Sequence, residues 1–372
     1  MARKKNMQEP QGYYQQDGYY EQNPKRRRKR KRRRLLFAFE ILILLLLAAG
    51  LYVASRYSQI TSSSSDVQEK AIQQNIKQQL SDEVQQKLEG YWNIALYGVD
   101  SRDKSATMGQ SDTIIVCSIN KDTKDVKLAS VYRDSYLEDT TGNYNKATDV
   151  YAMGGPERSI NMLNKNLDLD ISDYVTVNMD IVATLVNAIG GVEIDVREEE
   201  ILHLNNYQNE SSEITGLEIV PVTQPGLQTL NGLQAISYCR IRYIGLDYER
   251  TERQRKVINQ IFAKVKTMDP ISLTALINQM FDYIETNLSV TEILALAKDV
   301  SAYNIVETTG FPYSIGNSDM SRAGGSYVVS TDLASDVKQL HTFLFGEDAA
   351  YQPSDVVKTI SDEIAYRYSI YQ

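Results

Sequence analysis

Two apolar runs joined by a polar loop make up residues 94–119, which read IALYGVDSRDKSATMGQSDTIIVCSI. Each run is short, apolar and bounded by polar residues, a pattern typical of a buried β-strand. We therefore predict strands at Ile94–Val99 and Thr113–Ile119. The loop between them begins with Asp100 and ends at Asp112, so pairing of the two strands would bring these carboxylates close together.

Short apolar runs alternate with helical patterns along the rest of the chain. Further strands are predicted at Val126–Tyr132, Tyr174–Asn178, Val192–Val196 and Ile236–Tyr243. Helices are predicted at Thr148–Gly154, Pro156–Leu167, Ile181–Ile189, Arg250–Thr267, Leu273–Phe281 and Val290–Ala302. Strands interleaved with helices indicate one α/β layered domain, placed at residues 91–345. Residues 199–225 are expected to form a loop or hairpin insertion, and the polar tail at 346–372 to be peripheral.

The N-terminal region is typical of a single-pass membrane protein. Residues 25–34 are ten consecutive Lys or Arg, and residues 35–55 are apolar apart from Glu40. A helix of this length spans about 30 Å, the thickness of the hydrocarbon core of a bilayer. The basic flank places residues 1–34 in the cytoplasm, where they are expected to be disordered. A cleaved signal peptide and a nuclear localisation signal are the alternatives. Residues 56–90 are predicted to form an outer stalk, a linker followed by a helix.

Charge and reactive side chains narrow the possible functions of the outer domain. Residues 1–34 carry a net charge of +10, which leaves about −18 for the remainder because the whole chain carries −8. No nucleic-acid partner is expected for so acidic a domain. The two histidines, His203 and His341, stand apart from any cluster of metal ligands, so a zinc site or a Ser-His triad has no support. Cys117 and Cys239 lie in apolar runs and are expected to be free thiols, with a disulfide as the alternative.

Charged residues follow two of the predicted strands. Asp100 and Asp112 could hold Mg²⁺ (or Mn²⁺), which takes one or two carboxylates and leaves its other positions to water and phosphate. The alternative is that Asp112 caps a turn and Asp100 is solvated. Arg102 stands two residues after Asp100. Arg133 follows the strand at Val126–Tyr132, where its guanidinium could bind a phosphate in bidentate fashion.

A second basic cluster lies between residues 240 and 254. On the predicted strand, Arg240 and Arg242 project from one face, and their repulsion would be relieved by an anion between them. The helix that follows carries Arg250 and Gln254 on its apolar stripe, with Arg253 at the edge. A helix N-terminus also favours phosphate.

These residues together predict a site that holds a diphosphate with a divalent cation. Phosphoryl transfer needs mainly positioning and charge neutralisation from a protein. The sequence contains no Walker-type Gly-rich loop with a Lys, so ordinary nucleotide hydrolysis is not expected. Asp247 stands just before the predicted helix and could cap it or orient an arginine.

These motifs, in this order, resemble the LytR-CpsA-Psr family of Gram-positive envelope proteins over about residues 92–268. The resemblance implies an α/β/α sandwich with a central mixed sheet and a hydrophobic lipid pocket, lined by segments such as Ile181–Ile189 and Val257–Phe262. It implies a phosphotransferase, anchored in the cell membrane with its catalytic domain outside. Such an enzyme moves a glycopolymer (teichoic acid, capsule or similar) from a polyprenyl-diphosphate carrier to peptidoglycan.

The resemblance also assigns roles to individual residues. Asp100 and Asp112 would be the magnesium ligands, and the diphosphate would be held by Arg133, Arg240, Arg242, Arg250 and Gln254. Arg253, which lies nearby, and Arg102 are the further residues predicted to bind it. Arg133 would act in catalysis, and Asp100 or Asp247 could assist deprotonation of the acceptor.

The chain departs from the family's pattern at two positions: Tyr132 replaces a Pro, and Thr148 replaces an Asn.

Two alternative functions would use the same site: a pyrophosphatase, and a non-catalytic module that binds envelope polymer or lipid. Transcriptional attenuation is disfavoured because the motifs lie outside the cell.

Overall fold

The computed structural model describes residues 80, 82–99, 109–280, 283–316, 319–320, 325–346 and 351–371. The predicted cytoplasmic tail (1–34), the predicted membrane span (35–55) and most of the stalk lie outside these residues, as do Asp100 and Arg102. Within the described part of the chain, no helix is long and apolar enough to cross a bilayer.

Strands and helices alternate through most of the described chain. The strands are β1 (Tyr91–Val99), β2 (Ser111–Asn120), β3 (Asp125–Val131), β4 (Tyr136–Glu138), β5 (Tyr144–Lys146), β6 (Asp173–Asn178), β7 (Val192–Val196), β8 (Gly226–Leu230), β9 (Ile284–Thr286), β10 (Asn304–Phe311), β11 (Asp319–Met320) and β12 (Gly325–Ser326). The helices are α1 (Asp82–Leu88), α2 (Ala147–Leu167), α3 (Met179–Ala188), α4 (Glu198–Thr215), α5 (Gly232–Arg240), α6 (Leu246–Val265), α7 (Pro270–Met280), α8 (Val290–Lys298), α9 (Leu333–Phe345) and α10 (Asp355–Tyr371).

The central sheet is mixed, with strand order β10-β3-β2-β1-β6-β9. β1 pairs antiparallel with β2 and parallel with β6, and β3 pairs antiparallel with β2 and parallel with β10. The prediction of strands in the two apolar runs is therefore confirmed, and the runs form neighbouring strands of this sheet. Val99 pairs with Ser111, so β1 ends beside the residue at which β2 begins.

Apolar side chains cover both faces of the sheet. On one face, Tyr97 and Val116 belong to the largest core cluster, which also contains Leu163 of α2, Leu340 of α9 and Ile360 of α10. The other face carries a separate cluster, to which the following residues belong: Ile94, Ile115, Cys117, Leu128 and Ile258 of α6. Helices on both sides of a mixed sheet make the predicted three-layer arrangement.

Two local predictions are wrong because a helix was mistaken for other structure. Residues 198–215, which overlap the predicted loop or hairpin at 199–225, form α4, whose buried positions are few: Glu200, Leu204, Gln208 and Ser211. The predicted strand Ile236–Tyr243 is mostly helix, since α5 ends at Arg240. Its start is marked by a capping box, in which the Asn231 side chain accepts from the Gln234 N–H and Gln234 caps Asn231 in return. A capping box of this kind can be recognised in the sequence.

The C-terminal tail is not peripheral, which corrects the prediction for residues 346–372. In its described part, Tyr351, Val357, Ile360 and Ile364 are buried in the main core cluster. The tail is tied down by Asp168, a residue at the end of α2 with φ 50° and 1% exposure. The carboxylate of Asp168 accepts hydrogen bonds from the Tyr351 hydroxyl and from the backbone N–H and hydroxyl of Ser354, at 3.0, 2.7 and 2.7 Å.

Asp168→Asn is expected to lower the free energy of unfolding by about 2 kcal/mol, because the new amide nitrogen cannot accept the hydrogen bonds that one carboxylate oxygen now receives. Urea unfolding followed by circular dichroism measures the change. Asp355→Asn is the control, since Asp355 on α10 has a side chain 98% exposed and its replacement should change stability by about 0.5 kcal/mol or less. Equal stabilities for the two variants would contradict the docking role of Asp168.

Candidate functional site

A cavity of about 310 Å³ lies against the sheet and is bordered by α3, α5, α6 and α7. Its walls are mainly apolar on both the sheet side and the helix side. The helices contribute Ile181, Val182, Leu185, Ile236, Cys239, Val257, Ile258, Ile261 and Met280. A concave apolar surface of this kind suits a hydrocarbon chain. Both segments that the resemblance assigned to a lipid pocket contribute side chains to this cavity.

Part of the cavity lining is charged or polar, and it includes Asp112, Arg240, Arg250 and Gln254. Arg250 is 3% exposed. Its Nη1 lies 3.8 Å from Asp112 Oδ1, and its Nε lies 3.0 Å from Asp247 Oδ1. Its Nη2 and the Oε1 of Gln254 are buried without a hydrogen-bond partner among the described residues. Buried polar groups are normally satisfied, so Arg250 and the reversible amide of Gln254 offer donors to a bound anion.

Burial lowers the pKa of Arg250 by more than Asp247 and Asp112 raise it, but an arginine stays charged under these conditions. A buried cation that is paired on only part of its guanidinium is a binding group for an anion with several oxygens. The position of Arg250 on the inward stripe of α6, predicted from its spacing with the apolar residues, agrees with the structure.

Arg133 lies beside the same carboxylates. Its Nη1 donates to Asp112 Oδ1, and its Nε lies 3.8 Å from Asp134 Oδ2. Burial would lower the pKa of Arg133, but Asp112 and Asp134 outweigh it and raise that pKa. Thr148, at the position where the family pattern differs, donates its backbone N–H to the Arg133 carbonyl. Arg133 and Arg250 thus meet at one carboxylate, that of Asp112, although they stand on separate elements.

Asp247 orients two arginines. Its Oδ1 accepts from Nη2 of Arg242 at 3.2 Å and lies 3.0 Å from Nε of Arg250. Burial would raise the pKa of Asp247, but Arg250, Arg242 and Arg133 outweigh it and lower that pKa. A carboxylate with a lowered pKa is a weak proton acceptor. Asp247 does not cap α6, because the N-cap is Gly245 and Asp247 stands in the first turn; of its predicted roles, the geometry favours orienting arginines.

Arg240 and Arg242 are not side by side on a strand, which corrects the prediction for this pair. Arg240 ends α5, where its Nη2 lies 3.3 Å from Glu210 Oε2 and its Nη1 donates to the Ser211 hydroxyl at 3.2 Å. Arg242 lies beyond the helix end and turns toward Asp247. The two side chains diverge because the backbone changes direction at Ile241, whose ψ of 119° ends the helix.

Arg253 stabilises the fold and does not line the cavity. It is 1% exposed, and its Nε donates to Glu200 at 2.7 Å while its Nη2 donates to Glu249 at 2.8 Å. Its Nη1 donates to the carbonyls of Ile241 and Ile244 at 3.0 and 3.3 Å. The structure therefore differs from the prediction that Arg253 binds diphosphate: these contacts join α4, α6 and the turn that follows α5.

Sequence reasoning did not include Asp134 and Lys146 among the site residues. Asp134 Oδ1 lies 3.1 Å from Nζ of Lys146, and its Oδ2 lies 3.8 Å from Nη2 of Arg242. Both residues belong to stretches that carry the resemblance, directly after Arg133 and just before Thr148. Their proximity depends on β5 and α2 returning to the end of β3, which no local pattern indicates.

The described residues supply part of a binding site for a divalent cation. Asp112 supplies hard carboxylate oxygens in the cavity lining, the type of ligand that Mg²⁺ prefers. Its predicted partner, Asp100, follows directly on β1 but lies outside the described residues. Within the described ranges, no group of three or more His, Cys, Asp and Glu residues is arranged to hold a metal. A site of one or two carboxylates completed by phosphate oxygens is compatible with this arrangement.

The fold and the site together define a three-layer α/β protein whose apolar cavity carries a cluster of arginines and carboxylates. The family model described as LytR_cpsA_psr matches residues 54–342 of the chain. The protein therefore belongs to the LytR-CpsA-Psr family, as its motifs predicted.

Named relatives and solved structures agree with this assignment. The chain is 33% identical to a polyisoprenyl-teichoic acid–peptidoglycan teichoic acid transferase, TagU, of Enterococcus faecalis, over 56% of this chain and 65% of that protein. It spans 60% and 59% of two further curated relatives. A Streptococcus agalactiae protein structure is 25% identical with a TM-score of 0.59, covering 74% of this chain and 94% of that one. TagT with bound octaprenyl pyrophosphate is 22% identical with a TM-score of 0.51, covering 69% and 92%. These structures confirm the mixed α/β fold.

Proposed function

We propose that this protein is a phosphotransferase that moves a glycopolymer from a polyprenyl-diphosphate carrier to peptidoglycan. The observation that supports this most directly is one cavity with two chemistries: apolar walls suited to a prenyl chain, and buried arginine and glutamine atoms available to a diphosphate. The teichoic acid transferase names of relatives such as the Enterococcus faecalis protein support the same reaction. Capsule and other envelope polymers belong to the same class of donor.

The proposed reaction is a displacement at phosphorus. A hydroxyl of peptidoglycan attacks the phosphorus nearest the sugar, forming a new P–O bond as the bond to the bridging oxygen breaks, and polyprenyl phosphate leaves. Arg133 and Arg250 neutralise charge on the phosphoryl oxygens, and Arg242 is held near them by Asp247. The lowered pKa of Asp247 disfavours it as the proton acceptor, so the proton of the attacking hydroxyl would pass to water or to the departing polyprenyl phosphate.

Mg²⁺ (or Mn²⁺) would be held by Asp112 and Asp100 with oxygens of the diphosphate. When bound there, the ion would add positive charge at the phosphates and so stabilise the leaving group. Membrane anchoring by residues 35–55, with the catalytic domain outside the cell, follows from the same proposal, since a prenyl carrier remains in the membrane and its enzyme must work at that surface.

Arg133→Ala is expected to lower the rate of polymer transfer about a hundredfold, because a charge-assisted donor to the phosphoryl oxygens is lost. The assay uses the full-length chain in detergent, Mg²⁺, a polyprenyl-diphosphate oligosaccharide and peptidoglycan fragments, with products identified by mass spectrometry. Lys358→Ala, an exposed lysine on α10 with a side chain 53% exposed, is the matched control and should keep the wild-type rate.

Three outcomes distinguish the candidate functions. Release of polyprenyl phosphate with transfer to peptidoglycan supports the transferase. Release that depends on water alone identifies a pyrophosphatase instead. Binding of the lipid by the wild type with neither product identifies a non-catalytic binding module and overturns the proposed function.

A further inference from the structure

Three aromatic rings lie together beside the arginine cluster, one of them exposed and two half-buried. His203 and Tyr207 stand on α4, and Tyr243 lies in the turn after α5. The rings of His203 and Tyr243 are stacked, with centroids 5.3 Å apart and an interplanar angle of 20°. Tyr207 and Tyr243 have centroids 6.4 Å apart. We call these three residues the aromatic platform.

The aromatic platform is continuous with the cavity through Arg240. The guanidinium of Arg240 lies 5.5 Å from the centre of the Tyr207 ring, within the range of a cation–π contact. The same guanidinium lies 3.3 Å from Glu210, a residue on α4 whose side chain is 63% exposed. Arg240 also lines the cavity. A molecule on the platform would therefore lie next to whatever occupies the polar part of the cavity.

Tyr243 is far more exposed than an aromatic side chain held in place usually is. Tyr243 is 79% exposed although its ring is held against His203. Two backbone carbonyls of its turn, those of Ile241 and Ile244, are fixed by Arg253, which also binds Glu200 of α4. Both halves of the platform are thus held by one buried arginine. A large exposed ring kept in one orientation by such contacts is a feature of binding surfaces.

The shape of the platform favours an extended ligand. His203, Tyr207 and Glu210 are four and three residues apart on α4, so they follow one face of that helix. They extend over about 10 Å, since each helical residue rises about 1.5 Å. Aromatic faces match the C–H faces of pyranose rings, and the flanking Glu210 and Arg240 can hydrogen-bond to hydroxyl and acetamido groups.

We propose that the aromatic platform binds the acceptor, a glycan strand of N-acetylated hexoses, and holds it beside the diphosphate. This inference rests on the proposed transferase function, and it adds a place for the second substrate. A polysaccharide of the wall reaches the protein from solvent and spans several rings, which fits an open line of aromatic residues outside the cavity.

Tyr243→Ala is expected to weaken binding of N-acetylglucosamine tetramer to the full-length chain about five- to tenfold, measured by titration calorimetry. In the transfer assay, the same variant should raise the KM for peptidoglycan fragments by a similar factor while kcat and the affinity for geranylgeranyl diphosphate stay unchanged. Tyr243→Phe keeps the ring and should behave as wild type. Tyr366→Ala, at a tyrosine on α10 that is 60% exposed, controls for loss of a surface ring.

The outcomes separate this inference from the proposed function. If Tyr243→Ala leaves both tetramer affinity and acceptor KM unchanged, the platform does not bind the acceptor. A different outcome is that Tyr243→Ala lowers only the affinity for a donor that carries a sugar and leaves the affinity for geranylgeranyl diphosphate unchanged. In that case the platform binds the donor's sugar, and the acceptor assignment is overturned. If the tetramer binds through Tyr243 but the wild type transfers nothing, the glycan site stands and the transferase function fails.

Discussion

Arg250→Ala is expected to lower the affinity of the full-length chain for geranylgeranyl diphosphate about a thousandfold. The guanidinium of Arg250 is buried, and its Nη2 has no partner among the described residues. Removing a buried group that binds a charged ligand costs about 4 kcal/mol, since the ligand's charge is then left uncompensated, and this corresponds to about three powers of ten. The affinity is measured by titration calorimetry in detergent.

The variant should still fold, because the carboxylates that Arg250 contacts keep other cationic partners. Asp112 retains Arg133, and Asp247 retains Arg242 at 3.2 Å. Arg250→Lys tests the geometry: it keeps the charge but loses the planar fork, so we expect an intermediate affinity. Lys358→Ala should bind as wild type. Unchanged diphosphate affinity in a folded Arg250→Ala protein would remove Arg250 from the site.

The sheet and part of the site follow from local sequence patterns. The runs at 94–99 and 113–119 could be predicted as strands because both lie in the centre of the sheet and are therefore mostly buried and apolar. Arg250 could be predicted to face inward because its helix carries a clear apolar stripe. In both cases one local property, hydrophobic periodicity, determines the structure.

The secondary structure around Arg240 and Arg242 could not be predicted from hydrophobic periodicity. Residues 236–243 contain apolar Cys239 and Ile241 on either side of Arg240, a short pattern that does not distinguish a strand from a buried helix. The helix there is decided by capping at Asn231 and by packing against α3, where a Cβ on Gly232 would lie 2.1 Å from the Ala183 carbonyl oxygen. Such close contact between helices is a tertiary property.

The role of Arg253 was misassigned for a related reason. Its spacing from Arg250 places it near the inward stripe of α6, but its partner Glu200 lies 53 residues earlier in the chain, within a segment whose helix has few apolar positions. A buried carboxylate is rare unless it is paired, so the sequence alone favours solvent for Glu200. The pair could be recognised only once α4 and α6 were seen together.

Arg253→Met is expected to lower the free energy of unfolding by about 4 kcal/mol, because the buried carboxylate of Glu200 loses the one of its two arginine partners that is itself buried. The side chains of Glu200 and Arg253 are 1% and 2% exposed. Arg197→Met is the matched control: Arg197 also contacts Glu200, at 2.9 Å, but its side chain is 44% exposed, so its loss should cost about 1 kcal/mol or less. Urea unfolding of both variants measures the difference.

The pH dependence of the same measurement identifies the cause. Burial would raise the pKa of Glu200, but hydrogen bonds from Arg197 and Arg253 outweigh it and lower that pKa below the ordinary value of 4.5. The wild-type pair therefore stabilises the fold above pH 4.5, and this contribution is lost as the pH falls through the lowered pKa. In Arg253→Met the carboxylate keeps only the more exposed Arg197 as its cation and takes up a proton more easily, so the stability gap between variant and wild type should be widest near neutral pH and narrow in acid. A gap that is constant from neutral to acidic pH would attribute the loss to packing of the arginine side chain rather than to its charge.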